Sequence, residues 1–167
     1  VREKMKDSEI PKEDRPDIEN AVAVGAIKFS ILRQATGKDI IFDFDKSLSF
    51  EGDSGPYLQY TAVRANSVLG RTSTPPALTK VPEDLGILPR LLARFSGVVE
   101  RAAQESAPQY LVTYLLDLAS AFNAFYAQVK ILDGSAEEPY RLALTKAVST
   151  VLTNGLSVLG IRVPERM

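Results

Sequence analysis

Tyr57, Tyr60 and Arg64 stand three and four positions apart, so in a helix they share one face. Two phenol rings and a guanidinium side by side offer flat stacking surface and a cluster of donors, the chemistry that unstacked RNA bases require. The same spacing also fits two half-buried core tyrosines with Arg64 at the surface. In the set Phe122, Phe125 and Tyr126, spacing places the phenylalanines in a core stripe and leaves Tyr126 as the ring that reaches outward. Near the end, Arg141, Lys146, Arg162 and Arg166 face only Glu165 between positions 140 and 167. Such a basic end attracts a phosphate backbone, although a solvated helix face followed by a tail has the same composition.

Other chemistry is excluded by what is missing. The chain has no His and no Cys. A Ser-His-Asp triad, a His-rich zinc site, a thiolate metal site, a Cys nucleophile and disulfides are therefore all removed. The balance moves towards a binding module over an active enzyme. Gly52-Asp53-Ser54-Gly55-Pro56 looks superficially like a phosphate-cradling loop, but it lacks the Gly-Lys-Ser/Thr ending of a P-loop and reads as a tight structural loop entering a helix.

At 167 residues, 45% of them hydrophobic, the chain is long enough for one full domain, or one plus a fragment, with a core that needs no staples. Its net charge of −1 is unlike that of a wholesale nucleic-acid binder, and five acids between Asp39 and Asp53 face one Lys46. No stretch approaches the roughly 20 apolar residues of a membrane span, and no secretory leader is present. These features fit a cytoplasmic protein with no membrane partner. The first residue is Val, which reads as a piece of a longer chain.

The elements that must position these residues are mostly helical. Residues 1 to 16 read as the end of an upstream helix and a turn. A helix opens after Pro16, buried on most sides because Ala21 to Ile27 is nearly all apolar and small, and Gly37 closes it. Ile40 to Phe44 reads as a short strand or extended segment. Pro56 starts a helix that ends near Arg71. Thr72 to Pro82, rich in Thr and Pro, is the linker. Beyond it, Leu85, Leu88, Leu91, Leu92 and Phe95 form one apolar set, and Ser96 is the N-cap of a helix running to about Ser106. The strongest periodicity follows, where Leu111, Tyr114, Leu115, Leu118, Phe122, Phe125, Val129 and Leu132 step by three and four. A last helix has Tyr140, Leu144, Ala147, Val148, Val151 and Leu152 inward and ends near Gly160. The fold class is thus mainly all-α: a helical bundle at 83–167, preceded across the 72–82 linker by a helix, extended segment, loop and helix at 1–71.

Several segments resemble the C-terminal region of arginyl-tRNA synthetases. They are Ala23-Val24-Gly25-Ala26-Ile27-Lys28, Phe42-Asp43-Phe44-Asp45, Phe50 through Tyr60, Asp117 through Tyr126, Arg141-Leu142-Ala143-Leu144, Asn154-Gly155-Leu156 and Pro164-Glu165-Arg166-Met167. They occur in the family's order from about Asp17 to the last residue. The resemblance implies a class I enzyme that joins arginine to its tRNA using ATP and Mg. Its helical domain, named for an Asp-Ala-Leu-Arg motif that Tyr140-Arg141-Leu142-Ala143-Leu144 meets only in part, binds the anticodon stem-loop. It further implies that the loop containing Gly52 lies near that stem-loop, that the helix with Tyr57, Tyr60 and Arg64 helps bind it, and that Tyr126 and Met167 meet splayed bases. Asn123 matches a frequent family residue to which no role is assigned.

Lys4-Met5-Lys6 lacks the Ser-Lys continuation of the family's flexible ATP loop, and without His the other ATP signature has no place here. The resemblance therefore implies no catalytic residue and no cofactor within this chain. Arginine tRNA and the remainder of the catalytic domain are the implied partners, with a monomeric parent. Apolar surface ahead of Leu48 is expected to be exposed. A stand-alone RNA-binding or regulatory module, or a helical interaction bundle without RNA, are the rival readings.

Overall fold

The computed structural model describes Pro11, residues 13–40 and residues 42–167. The reading of residues 1–10 as a helix end, with Lys4-Met5-Lys6 in it, lies outside the described residues. Among those described there are seven helices and no strand: α1 (Arg15–Leu32), α2 (Phe44–Ser47), α3 (Gly55–Leu69), α4 (Leu88–Ala93), α5 (Phe95–Gln104), α6 (Gln109–Gln128) and α7 (Glu138–Val158). Proline stands in the first two positions of α1, α3, α4 and α7, where its missing N–H costs nothing and its fixed φ suits the helix. Ser54 caps α3, its Oγ accepting from the Tyr57 N–H at 3.0 Å.

Four local expectations are corrected. The described residues of Ile40–Phe44 form no strand. Asp43 accepts from the N–H groups of Asp45 and Lys46 and starts α2 at Phe44, while a lone strand would leave its backbone groups without a neighbour. Helix α1 stops at Leu32, and Gly37, at φ +81°, lies in the turn beyond it. Helix α5 opens at Phe95 rather than after Ser96, because Arg94 serves as both the last cap of α4 and the first of α5. Helix α6 ends at Gln128, where Val129 turns extended. The apolar stripe nevertheless continues past it, with Ile131 buried from the loop.

One core joins α1, α3, α4, α6 and α7, through Phe29, Leu58, Ala62, Leu88, Leu115, Leu118, Phe122, Leu142, Val148 and Leu152 among others. Tyr140 and Leu144 line a groove with Phe125 and Gln128, and Gly155 lies under Leu115, so α6 and α7 run antiparallel. The close approaches depend on glycine. A Cβ on Gly55 would lie 2.6 Å from the Gly25 carbonyl oxygen, and one on Gly155 would lie 2.6 Å from Leu115 Cδ2. Within α7, Leu142 and Leu156 are fully buried beside the residues expected there. The 72–82 linker carries no helix, and its Ala77 N–H donates to the Pro139 carbonyl at 3.0 Å.

The chain after α7 folds back onto α1. Gln59, fully buried, donates from Nε2 to the Ala21 carbonyl at 3.1 Å and to the Arg162 carbonyl at 2.6 Å. Lys28 donates to the Gly160 carbonyl. Arg162 donates to the Asp17 carboxylate at 2.7 Å and to its carbonyl at 3.0 Å. These bonds tie α1, α3 and the tail into one unit.

The opposite side of α1 departs from the expectation of burial on most sides. Val24, Ile27 and Ile31 are exposed, because no described element covers them. With Phe42, Phe44 and Leu48 the last two border an apolar groove of about 500 Å³. The expectation of exposed apolar surface ahead of Leu48 matches this face.

Candidate nucleic-acid interface

Where α3 crosses α6, the predicted residues meet. Arg64 lies between two rings, its Cζ 4.7 Å from the Tyr60 centroid and 5.1 Å from that of Tyr126. Its Nη1 donates to Asn123 Oδ1 at 2.7 Å. Asn123 Nδ2 donates in turn to the Tyr57 hydroxyl and to Thr61 Oγ1, each at 3.0 Å. Thr61 Oγ1 donates to the Tyr57 carbonyl at 2.8 Å. Tyr57, Tyr60, Arg64 and Asn123 are half-buried, while Tyr126 is 37% exposed and packs its inner side on Phe122 at 6.3 Å between centroids. Both alternatives from the sequence are thus partly realised: the tyrosines of α3 are half-buried, and they also form a stacked, cationic surface with Arg64 and Tyr126.

The recorded partners of Arg64 are two rings and an amide, all uncharged. A guanidinium stacked on π faces keeps its full positive charge and its remaining N–H groups for an outside acceptor. Tyr60 is met at its other edge by Phe50, with centroids 6.1 Å apart. That contact brings the 49–54 loop beside the stack. Gly52 in this loop has φ +74° and open space where a Cβ would stand. The loop is held by Ser54, which donates to the Ser49 carbonyl, and by the Glu51 N–H, which donates to Ser49 Oγ at 3.0 Å.

The other predicted residues are placed differently. Met167 packs on Ile18 and Val22 of α1, so the stack of Arg64 is built from Tyr60 and Tyr126 without it. Arg141 is corrected from a free cation to an internal clamp, with 18% of its side chain exposed. It bonds Asp133, the Glu137 carboxylate at 2.7 Å and the Lys130 carbonyl at 3.1 Å, closing the α6–α7 loop. Bonds from Ser135 and Arg141 hold the Asp133 carboxyl down to about 2. Arg162 pairs with Asp17 at 2.7 Å, and Arg166 lies 4.0 Å from Asp14. Lys146 is exposed on α7. The basic end therefore divides into one open lysine, two arginines answered by acids of the α1 region, and one arginine inside a loop.

Sequence reasoning passed over Thr61, and left Asn123 without a role. Thr61 is the residue four after Tyr57 on the same helix face, so the spacing held a usable sign of it. Asn123 needed the crossing of two helices to acquire partners. No helix among the described residues is long and apolar enough to cross a membrane. No group of three or more acidic side chains among them converges as a metal site.

The family model for the DALR anticodon binding domain matches residues 58–167. The chain belongs to this family. Both helices of the stack, from Leu58 of α3 through α6, lie within the matched span. The chain is also similar to the arginine–tRNA ligase of Exiguobacterium sibiricum, 40% identical over 164 residues, and to that of Streptococcus uberis, 38% identical over 161 residues. Each of these matches takes in 93% of this chain and under a third of the relative, 29% and 28% respectively. Among solved structures, the arginyl-tRNA synthetase of Thermus thermophilus superposes with a TM-score of 0.83 at 33% identity, covering 97% of this chain and 29% of that one. The all-helical architecture is therefore that of the anticodon-binding region of arginyl-tRNA synthetases.

Proposed function

We propose that this chain is the anticodon-reading part of an arginine–tRNA ligase, a cytoplasmic enzyme that attaches arginine to tRNA using ATP and Mg. The observation that carries the reading is the Tyr60–Arg64–Tyr126 stack at the α3–α6 crossing, within a chain of the DALR family. Unpaired bases of the anticodon loop lie against the open side of Tyr126. The remaining N–H groups of Arg64 donate to acceptor-bearing base edges or phosphate. Tyr57 and Tyr60 anchor the cation, and Gly52 lets the 49–54 loop approach the backbone without a side chain between. Met167, packed on Ile18 and Val22, offers its thioether to a further splayed base outside the stack. Lys146, Arg162 and Arg166 add a field that attracts phosphate, with exposed Lys146 the strongest contributor because Arg162 and Arg166 are each answered by an acid.

Activation of arginine takes place elsewhere in the ligase, on its catalytic body. The apolar groove of α1, bordered by Ile27, Ile31, Phe42 and Phe44, supports docking of that body, since such a face gains from being covered. In this reading the ligase acts as a monomer. The test is equilibrium binding of an arginine tRNA anticodon stem-loop to the chain over a range of salt. Binding that weakens with salt and with Tyr126→Ala supports the proposal. Equal binding by the wild-type chain and a Tyr126→Ala chain that is fully folded refutes it.

A further inference from the structure

We infer that Asn123 is a positioning residue for Arg64: it sets the guanidinium in the tyrosine stack and thereby determines how strongly the site holds RNA. The inference rests on the reading of the α3–α6 crossing as an RNA site and goes beyond it by assigning a residue that touches no ligand there.

The hydrogen-bond network allows one orientation of the Asn123 amide. Thr61 directs its proton at the Tyr57 carbonyl, 2.8 Å away, so only its lone pairs remain for Asn123. The amide NH₂ must therefore face Thr61 and the Tyr57 hydroxyl, at 3.0 Å each. That leaves the amide oxygen facing Arg64 Nη1 at 2.7 Å. The flipped amide would set NH₂ against a guanidinium N–H and oxygen against a hydroxyl whose proton is already used. Both contacts would be repulsive.

The consequence for Arg64 is directional. The contacts with Tyr60 and Tyr126 hold the guanidinium carbon close to both rings without specifying which N–H group meets which neighbour. The bond from Nη1 to Asn123 adds that direction and leaves the other N–H groups for further acceptors. Asn123 is neutral, so it does this without cancelling the positive charge, which a carboxylate in its place would do. Its second anchor, Tyr57, ties the setting of Arg64 to the first turn of α3, next to the 49–54 loop.

The experiment is a double-mutant cycle on affinity for the anticodon stem-loop, using the whole chain with N123A, R64A and both together, each checked for fold by circular dichroism. If Asn123 acts through Arg64, N123A weakens binding by about tenfold with Arg64 present and by less than about twofold in the R64A background. Should N123A lose its fold, N123L fills the same space without an acceptor and takes its place in the cycle. Equal losses from the Asn123 change in both backgrounds overturn the inference and leave Asn123 as a structural tie. If R64A and Tyr126→Ala are both without effect, the RNA site itself is refuted, and the failure is told apart from that of Asn123.

Discussion

Tyr60 and Tyr126, 66 positions apart in sequence, face the same guanidinium from two helices, at 4.7 and 5.1 Å from Arg64 Cζ. Tyr126 is the most exposed ring of this arrangement, at 37%. Base stacking on an aromatic contributes about 1–3 kcal/mol, so Tyr126→Ala should weaken anticodon stem-loop binding roughly 5- to 150-fold. Tyr126→Phe keeps the ring and should stay within a few-fold of wild type. Fluorescence anisotropy titration measures both.

The space around two helical glycines, Gly55 at the α1–α3 crossing and Gly97 in α5, predicts opposite signs for their substitution. Gly55→Ala brings a Cβ to 2.6 Å from the Gly25 carbonyl oxygen, a backbone atom that cannot swing aside. It should destabilise the chain by about 1–3 kcal/mol. Gly97, inside α5, has nothing within 4 Å of where its Cβ would stand. Gly97→Ala should stabilise by about 0.5–1 kcal/mol through helix propensity. Urea unfolding of both variants checks the pair of signs.

The Asp133–Arg141 clamp predicts a pH dependence. The folded Asp133 carboxyl is held down to about 2, from an ordinary 3.8, by bonds from Ser135 and Arg141. A carboxyl depressed on folding contributes stability above its unfolded value and loses it as pH falls through the folded one. Asp133→Asn should therefore be less stable than wild type at pH 7. The difference should shrink between about pH 4 and pH 2, as read by melting temperature across that range.

The four basic residues of the C-terminal end should separate by salt dependence. Lys146→Ala should reduce the slope of log affinity against log salt by about 1, since an open cation releases a counterion on binding phosphate. Arg141→Ala should leave that slope unchanged and lower the melting temperature instead, because Arg141 is bound to Asp133 and Glu137. A binding series from low to moderate salt measures the two slopes.

The helices were legible in sequence where apolar periodicity ran long and a capping residue or proline marked the start, as in α3, α6 and α7. The run Ile40 to Phe44 suits a strand or an extended segment, and with no neighbouring strand among the described residues only the extended form is met, at Asp43. The exposed side of α1 was misread for a related reason: an apolar composition implies burial only if a covering partner is at hand. In the site, Tyr57, Tyr60 and Arg64 share a helix and their alignment follows from period alone. Tyr126 joins them only through the crossing of α3 and α6, for which the family resemblance supplied what periodicity could not. Arg141 meets Asp133 and Glu137, eight and four positions before it, so its partners lie outside the basic run at 140–167.

The bonds between α1 and the tail set an order of events during synthesis. The Arg162–Asp17 contact spans 145 positions, and Gln59 waits 103 positions for the Arg162 carbonyl. At a ribosomal pace of about 5–20 residues per second, α1 emerges roughly 7–30 s before the segment that fastens it. Throughout that interval Ile18 and Val22 have no Met167 to cover them. Covering this edge of α1 is therefore one of the last steps in assembling the fold.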